Sequence, residues 1–210
     1  MQEPVPFCLK SICLVFSVFL LSSVLFLSSC VHSHGKEPLS IEVLPGKEFS
    51  SYNDKNLSNN IFVSVQGVSQ SRKLAQDIES QLLQKGFVLK DNPSSADLIL
   101  QISVVYAGGA HLSDLTRAVE SGYDAKVSVH GNEVSGLLVD ALLVARAVPE
   151  AKNTKQQKLK NISQRQALGS STTRFALYTQ DTYVMRGLVR GMSEALAREI
   201  CRKVYSSRKK

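Results

Sequence analysis

The chain has 210 residues, 43% of them hydrophobic, and a formal net charge of +7. That apolar share is enough to build a core, and the length suits one domain, alone or with a tail. The four cysteines, Cys8, Cys13, Cys30 and Cys201, are placed so that a disulfide framework is excluded once the N-terminal segment is read.

Ile12–Ser29 is an uncharged, mostly apolar run that closes on Leu27-Ser28-Ser29-Cys30. Leu, two small residues and Cys form a lipobox, the cleavage signature of a bacterial lipoprotein. The apolar run enters the membrane, the small residues fit a peptidase cleft, and the Cys30 thiolate takes a diacylglyceryl group. Cleavage before Cys30 frees an amine for a third chain. One acyl chain anchors only marginally, at about 0.8 kcal/mol per buried methylene, whereas two or three anchor stably. The alternative reading is a retained spanning helix, since about 18 apolar residues can cross a bilayer. The expected organisation is a signal peptide over 1–29, a lipidated Cys and tether over 30–58, and a single α+β domain over 59–206. Val31, rather than an acid, follows Cys30, which favours the outer membrane in a diderm bacterium. An exported chain has no access to nucleic acid, so its positive charge suits anionic lipid or simple solubility. Cys8 and Cys13 leave with the leader and Cys30 is acylated. Cys201 is then left alone, as a small buried helix residue.

Val31–Ser40 reads as a polar tether; its His32 and His34 could bind a metal, but two histidines two apart in such a segment are usually ordinary tether residues, and no metal is expected. Ile41–Leu44 is a short strand candidate, broken by Pro45-Gly46. Ser50–Asn60 reads as loop. Ile61–Val68 alternates as a strand. Ser71 caps a helix over Arg72–Lys85, whose Leu74, Ile78 and Leu82, joined by Ala75 and Leu83, form an apolar stripe. Gly86 sits where a helix end wants positive φ. Phe87–Lys90 is a short strand, Asp91–Ser94 a turn, and Ala96–Tyr106 a central strand apolar on both faces. The result is a small mixed sheet with a β-α-β-β unit and a helix packed across one face.

Gly108-Gly109 opens a loop region. His111–Ser121 is read as a turn or two of helix, Asp124–Val129 as a strand, and His130-Gly131-Asn132 as a turn. Ala141–Val148 is a strand ended by Pro149. Lys152–Ser170 carries Lys152, Lys155, Lys158, Lys160 and Arg165 without an acid. It reads either as a solvated loop or as a basic patch facing phosphate-bearing lipid heads. Thr172–Gln180 is a strand, Thr182–Tyr205 a long amphipathic helix, and Arg208-Lys209-Lys210 a disordered tail.

Chemistry-bearing motifs are missing. The sequence has no glycine-rich phosphate loop, zinc-type Cys/His pair or G-x-S-x-G elbow. His111 and His130 lie in separate loops, and Asp97, Asp114 and Asp124 are scattered. No catalytic residue, metal or cofactor is expected. A hydrolase would need His111 or His130 brought to a carboxylate and a Ser.

The order of these features resembles the TraT family of outer-membrane lipoproteins. The lipobox is followed by Ile41-Glu42-Val43 and Ile61-Phe62-Val63-Ser64-Val65. A helix closing on Lys85-Gly86-Phe87 comes next, then Ser95-Ala96-Asp97-Leu98-Ile99-Leu100, Asp114-Leu115, Gly122-Tyr123-Asp124, two strands and a terminal helix. The resemblance implies a lipid-anchored α+β body, homo-oligomerisation, and roles in complement resistance or conjugative surface exclusion, with an envelope or host protein as partner. Where TraT proteins carry a long glycine- and alanine-rich apolar stretch, this chain has a short one bearing Asp124, Lys126, His130 and Glu133. A membrane-buried hairpin is therefore not expected. A periplasm-facing adaptor or activator of an envelope assembly would use the same body.

Overall fold

The computed structural model describes residues 40–52, 57–67, 71–147, 166–180 and 191–209. They form a six-stranded mixed sheet with three helices, an α+β fold. The strands are β1 (Glu42–Leu44), β2 (Asn60–Gln66), β3 (Val88–Leu89), β4 (Leu98–Ala110), β5 (Val134–Ala147) and β6 (Gln166–Thr179); the helices are α1 (Ser71–Gln84), α2 (Leu112–Ser121) and α3 (Met192–Lys209). The sheet order is β1-β6-β5-β4-β2-β3. β2 is parallel to β3 and β4, and every other pairing is antiparallel.

Period-two alternation divides the sheet into two faces. Ile61, Leu98, Leu100, Ile102, Leu137, Val139, Ala141, Leu143, Phe175 and Leu177 point to the main core. There they meet Leu74, Ile78 and Leu82 of α1 and Leu196, Ile200 and Val204 of α3, all fully buried. Four-residue spacing on α1 puts its three large side chains on one line, and each contributes about 1.5–3 kcal/mol by burial. Leu83 departs from the predicted stripe. It falls past the edge of that line and is 54% exposed. Gly86, at φ +82°, follows the helix as predicted.

The second face carries a smaller core. Leu115 and Ala118 of α2 pack with Ala110, Val134, Leu138, Ala176 and Tyr178. Helices therefore lie on both faces rather than one. Gly136 makes room for α2, since a Cβ there would stand 2.8 Å from Leu115 Cδ1.

Several boundaries differ from expectation. Gly108 and Gly109 continue β4, paired with Gly136 and Ser135, rather than opening a loop; Gly109 marks a close approach, since a Cβ there would stand 2.8 Å from the Gly131 carbonyl oxygen. β5 begins at Val134, seven residues before the predicted start at Ala141, and runs to Ala147. β6 begins at Gln166, inside the stretch read as loop; residues 148–165 lie outside the described residues. Asp124–Val129 is no strand. It lies on the second face with Val127 and Val129 in the core there, so its alternation comes from packing on a sheet, not pairing within it. α3 runs through Arg208 and Lys209, which the sequence suggested were tail. Thr182–Arg190 lies outside the described residues. None of the helices in the described residues is long and apolar enough to cross a membrane.

Candidate functional site

The predicted attachment residue Cys30 and the signature Leu27, Ser28 and Ser29 lie outside the described residues, as do His32 and His34. What the structure does show is how the body holds the chain that follows them. β1 pairs with the last part of β6, Glu42 opposite Tyr178 and Leu44 opposite Ala176. The Tyr178 hydroxyl donates to the Glu42 carboxylate. Pro45-Gly46 then turns the chain over β6. A Cβ on Gly46 would overlap the Arg174 carbonyl oxygen, so only glycine fits this crossing.

Lys203 of α3 fastens the crossing. Its ammonium, 1% exposed, donates to the Gly46 carbonyl at 2.9 Å and to Glu48 Oε1 at 2.8 Å. It also lies 5.6 Å from the Phe175 ring centroid. Glu48 accepts from Arg202 as well, at 2.9 Å. The Lys203 hydrogen bond, with Arg202 behind it, holds the Glu48 carboxyl below its ordinary range. Thr173 Oγ1 donates to the Lys47 carbonyl at 2.7 Å, Ser50 N–H to Ser171 Oγ at 2.8 Å, and Tyr52 N–H to the Ser207 carbonyl at 2.9 Å. Phe49 fills the core beneath. The segment from Glu42 to Tyr52 is thus tied to β6 and α3.

The second polar centre is a buried ion pair that sequence reading missed. Asp140 of β5 and Arg174 of β6 stand opposite each other, 6% and 2% exposed. Arg174 Nε donates to Asp140 Oδ1 at 2.5 Å and its Nη2 to Oδ2 at 2.7 Å. The remaining Nη1 donates to the Ala125 carbonyl at 2.9 Å, and Asp124 N–H donates to Asp140 Oδ2 at 3.1 Å. This bidentate pair fixes the segment after α2 to the sheet. The available signal was a lone Asp in an apolar strand, with a lone Arg in the strand beside it.

The histidine loops are neighbours: His111 N–H donates to the His130 carbonyl at 2.7 Å. His111 Nδ1 lies 3.5 Å from Glu133 Oε2, with both side chains more than half exposed. Asp114 Oδ2 accepts from the His130 backbone N–H at 3.2 Å, so it acts in a turn. Asp97 accepts a hydrogen bond from Ser58 Oγ at the start of β4. Three or more His, Cys, Asp or Glu side chains arranged to hold a metal do not occur among the described residues. Cys201 is fully buried against the Ile78 carbonyl, as predicted, and burial pushes its thiol up to about 12.

Comparison with curated proteins gives no match. Among solved structures, the chain is similar to a PelC variant, a dodecamer from Paraburkholderia phytofirmans, at 10% identity and TM-score 0.36, covering 81% of this chain and 98% of that one. It is also similar to a minor lipoprotein from Acinetobacter baumannii, at 12% identity and TM-score 0.32, covering 71% and 93%. A DUF4136 family protein from Bacteroides thetaiotaomicron shows 11% identity and TM-score 0.29, covering 81% and 96%. Residues 55–148 match the family model described as Enterobacterial TraT complement resistance protein. That stretch runs from β2 through α1, β3, β4 and α2 to β5, and over it the chain is similar to the TraT family.

Proposed function

We propose that this protein is an outer-membrane lipoprotein of TraT type that acts without catalysis, by binding or shielding at the envelope surface. The match of residues 55–148 to the TraT family carries the reading. In it, residues 1–29 are removed at Leu27-Ser28-Ser29, and Cys30 bears two or three acyl chains. The chain from Cys30 to Ser40 spans at most about 33–36 Å. Past that point, β1 and the Lys203 clamp couple it to the body. The chief buried charges, Asp140, Arg174 and Lys203, are committed to structural partners, which supports a body that presents a surface rather than a reaction centre. Complement resistance or surface exclusion, exerted by a homo-oligomer, is the role this reading assigns.

Protease treatment of intact cells carrying an internally tagged protein tests it. Loss of the body without permeabilisation is expected. A body protected until the outer membrane is opened would instead favour the periplasm-facing adaptor.

A further inference from the structure

At the corner between α1 and β3, two cations and two aromatic rings interleave around a small cavity. Asn59, Lys85, Phe87, Tyr205 and Arg208 line it. Lys85 Nζ lies 5.4 Å from the Tyr205 ring centroid, and the Arg208 guanidinium carbon lies 6.0 Å from that of Phe87. Gly86, with its positive φ, turns the chain so that Lys85 and Phe87 both reach the last turn of α3. There Tyr205 and Arg208 are three residues apart and share a face.

Among the described residues, neither Lys85 nor Arg208 has a salt-bridge partner, and Arg208 donates one side-chain hydrogen bond, to the Leu57 carbonyl at 2.6 Å. A guanidinium carries five N–H donors, so most of its donor capacity remains for a ligand. Burial lowers the Arg208 pKa, with only Asp97 opposing the shift; the group is desolvated beyond what its neighbours offset. Two helices end here with the negative ends of their dipoles, which attract cations on their own account. Yet among the described residues neither cation donates to a carbonyl of its own helix, so capping does not explain where they point. Two large apolar side chains flank the corner in exposed positions, Leu83 at 54% and Val88 at 49%.

We infer that the Lys85–Arg208 cavity binds a phosphate group, held by the ammonium and the guanidinium fork above the Tyr205 and Phe87 rings. Arg and Lys together suit phosphate, the first by its planar fork and the second as a point charge. The group belongs either to a free phosphate anion or to a phospholipid head whose acyl chains would lie along Leu83 and Val88.

The test is a titration of the membrane-extracted, full-length protein in neutral detergent, followed by thermal shift and calorimetry. Inorganic phosphate, dihexanoyl phosphatidic acid and chloride are compared at matched ionic strength. Phosphate is expected to stabilise the protein beyond chloride, and the variant Lys85→Met with Arg208→Gln is expected to bind at least about tenfold more weakly. Lys85→Glu, a single change at an exposed position, is a second probe that leaves the fold intact and should abolish the phosphate-specific shift. Tighter binding of the phosphatidic acid than of phosphate assigns the lipid source, and equal binding assigns the free anion. Equal response to phosphate and chloride in the wild type overturns the inference. So does a phosphate response that survives both variants.

Discussion

The Asp140–Arg174 pair gives the sharpest prediction about the body. Replacing Arg174 with Met keeps most of the side-chain length and removes the charge. Asp140 would then be a buried carboxylate, 6% exposed, with the Asp124 N–H at 3.1 Å as its remaining recorded donor. The Ala125 carbonyl would lose its 2.9 Å donor in the same step. Breaking a buried pair from one side costs about 3–5 kcal/mol. For a domain of this size each kcal/mol lowers Tm by roughly 2–4 °C, so Arg174→Met should melt roughly 6–20 °C below the wild type by circular dichroism. The double variant Asp140→Leu with Arg174→Met removes both charges together, and a buried pair replaced by apolar side chains is often neutral. It should recover most of the loss, a coupling visible as non-additivity. If the single variant melts within about 2 °C of wild type, less than one kcal/mol is at stake and the pair is not the tie between strand and loop described above. A double variant as unstable as the sum of the singles would refute it equally.

Three other outcomes follow from the clamp and the core. Gly46→Ala drives a Cβ into the Arg174 carbonyl, so the crossing must shift; urea unfolding should show a loss of at least about 1–3 kcal/mol. The Glu48 carboxyl is held low chiefly by its hydrogen bond from Lys203. Its stabilisation is therefore complete above the unfolded carboxylate pKa of about 4.3 and is lost as pH falls through the lower folded value. The stability gap between wild type and Glu48→Gln should be flat near neutrality and close in acid; a gap that widens in acid would contradict this. Cys201, with its thiol pushed up to about 12 and its side chain fully buried, should resist iodoacetamide in mildly alkaline buffer while the protein is folded. After denaturation, one reactive thiol per chain is expected if Cys8 and Cys13 have left and Cys30 is acylated.

Local periodicity carried much of the fold. β2, α1, β3 and the first part of β4 fall where alternation and four-residue spacing placed them, because each buries one face against a single layer. The misses share a cause. Gly108 and Gly109 are turn signals by composition, but both continue β4, and Gly109 lets the segment at Gly131 come close to the sheet, a contact decided by distant residues. Asp124–Val129 shows strand-like alternation without strand pairing, since lying on a sheet imposes the same period as lying in one. Asp140 and Arg174 are ordinary residues taken singly; only the β5–β6 register brings them together. Lys203 lies within the stretch predicted as a long amphipathic helix, and the returning Gly46–Glu48 segment buries it. The attachment signature, in contrast, is fully local in sequence, and nothing in the body is needed to read it.

Cys30 is the residue on which lipid anchoring turns. Mass spectrometry of the membrane-extracted protein, beside a Cys30→Ala control, should show a mature chain that begins at an acylated Cys30, with the control left unprocessed. A chain that begins at Met1 and carries an unmodified Cys30 would mean that a spanning helix holds the protein, and the lipoprotein reading would have to be withdrawn.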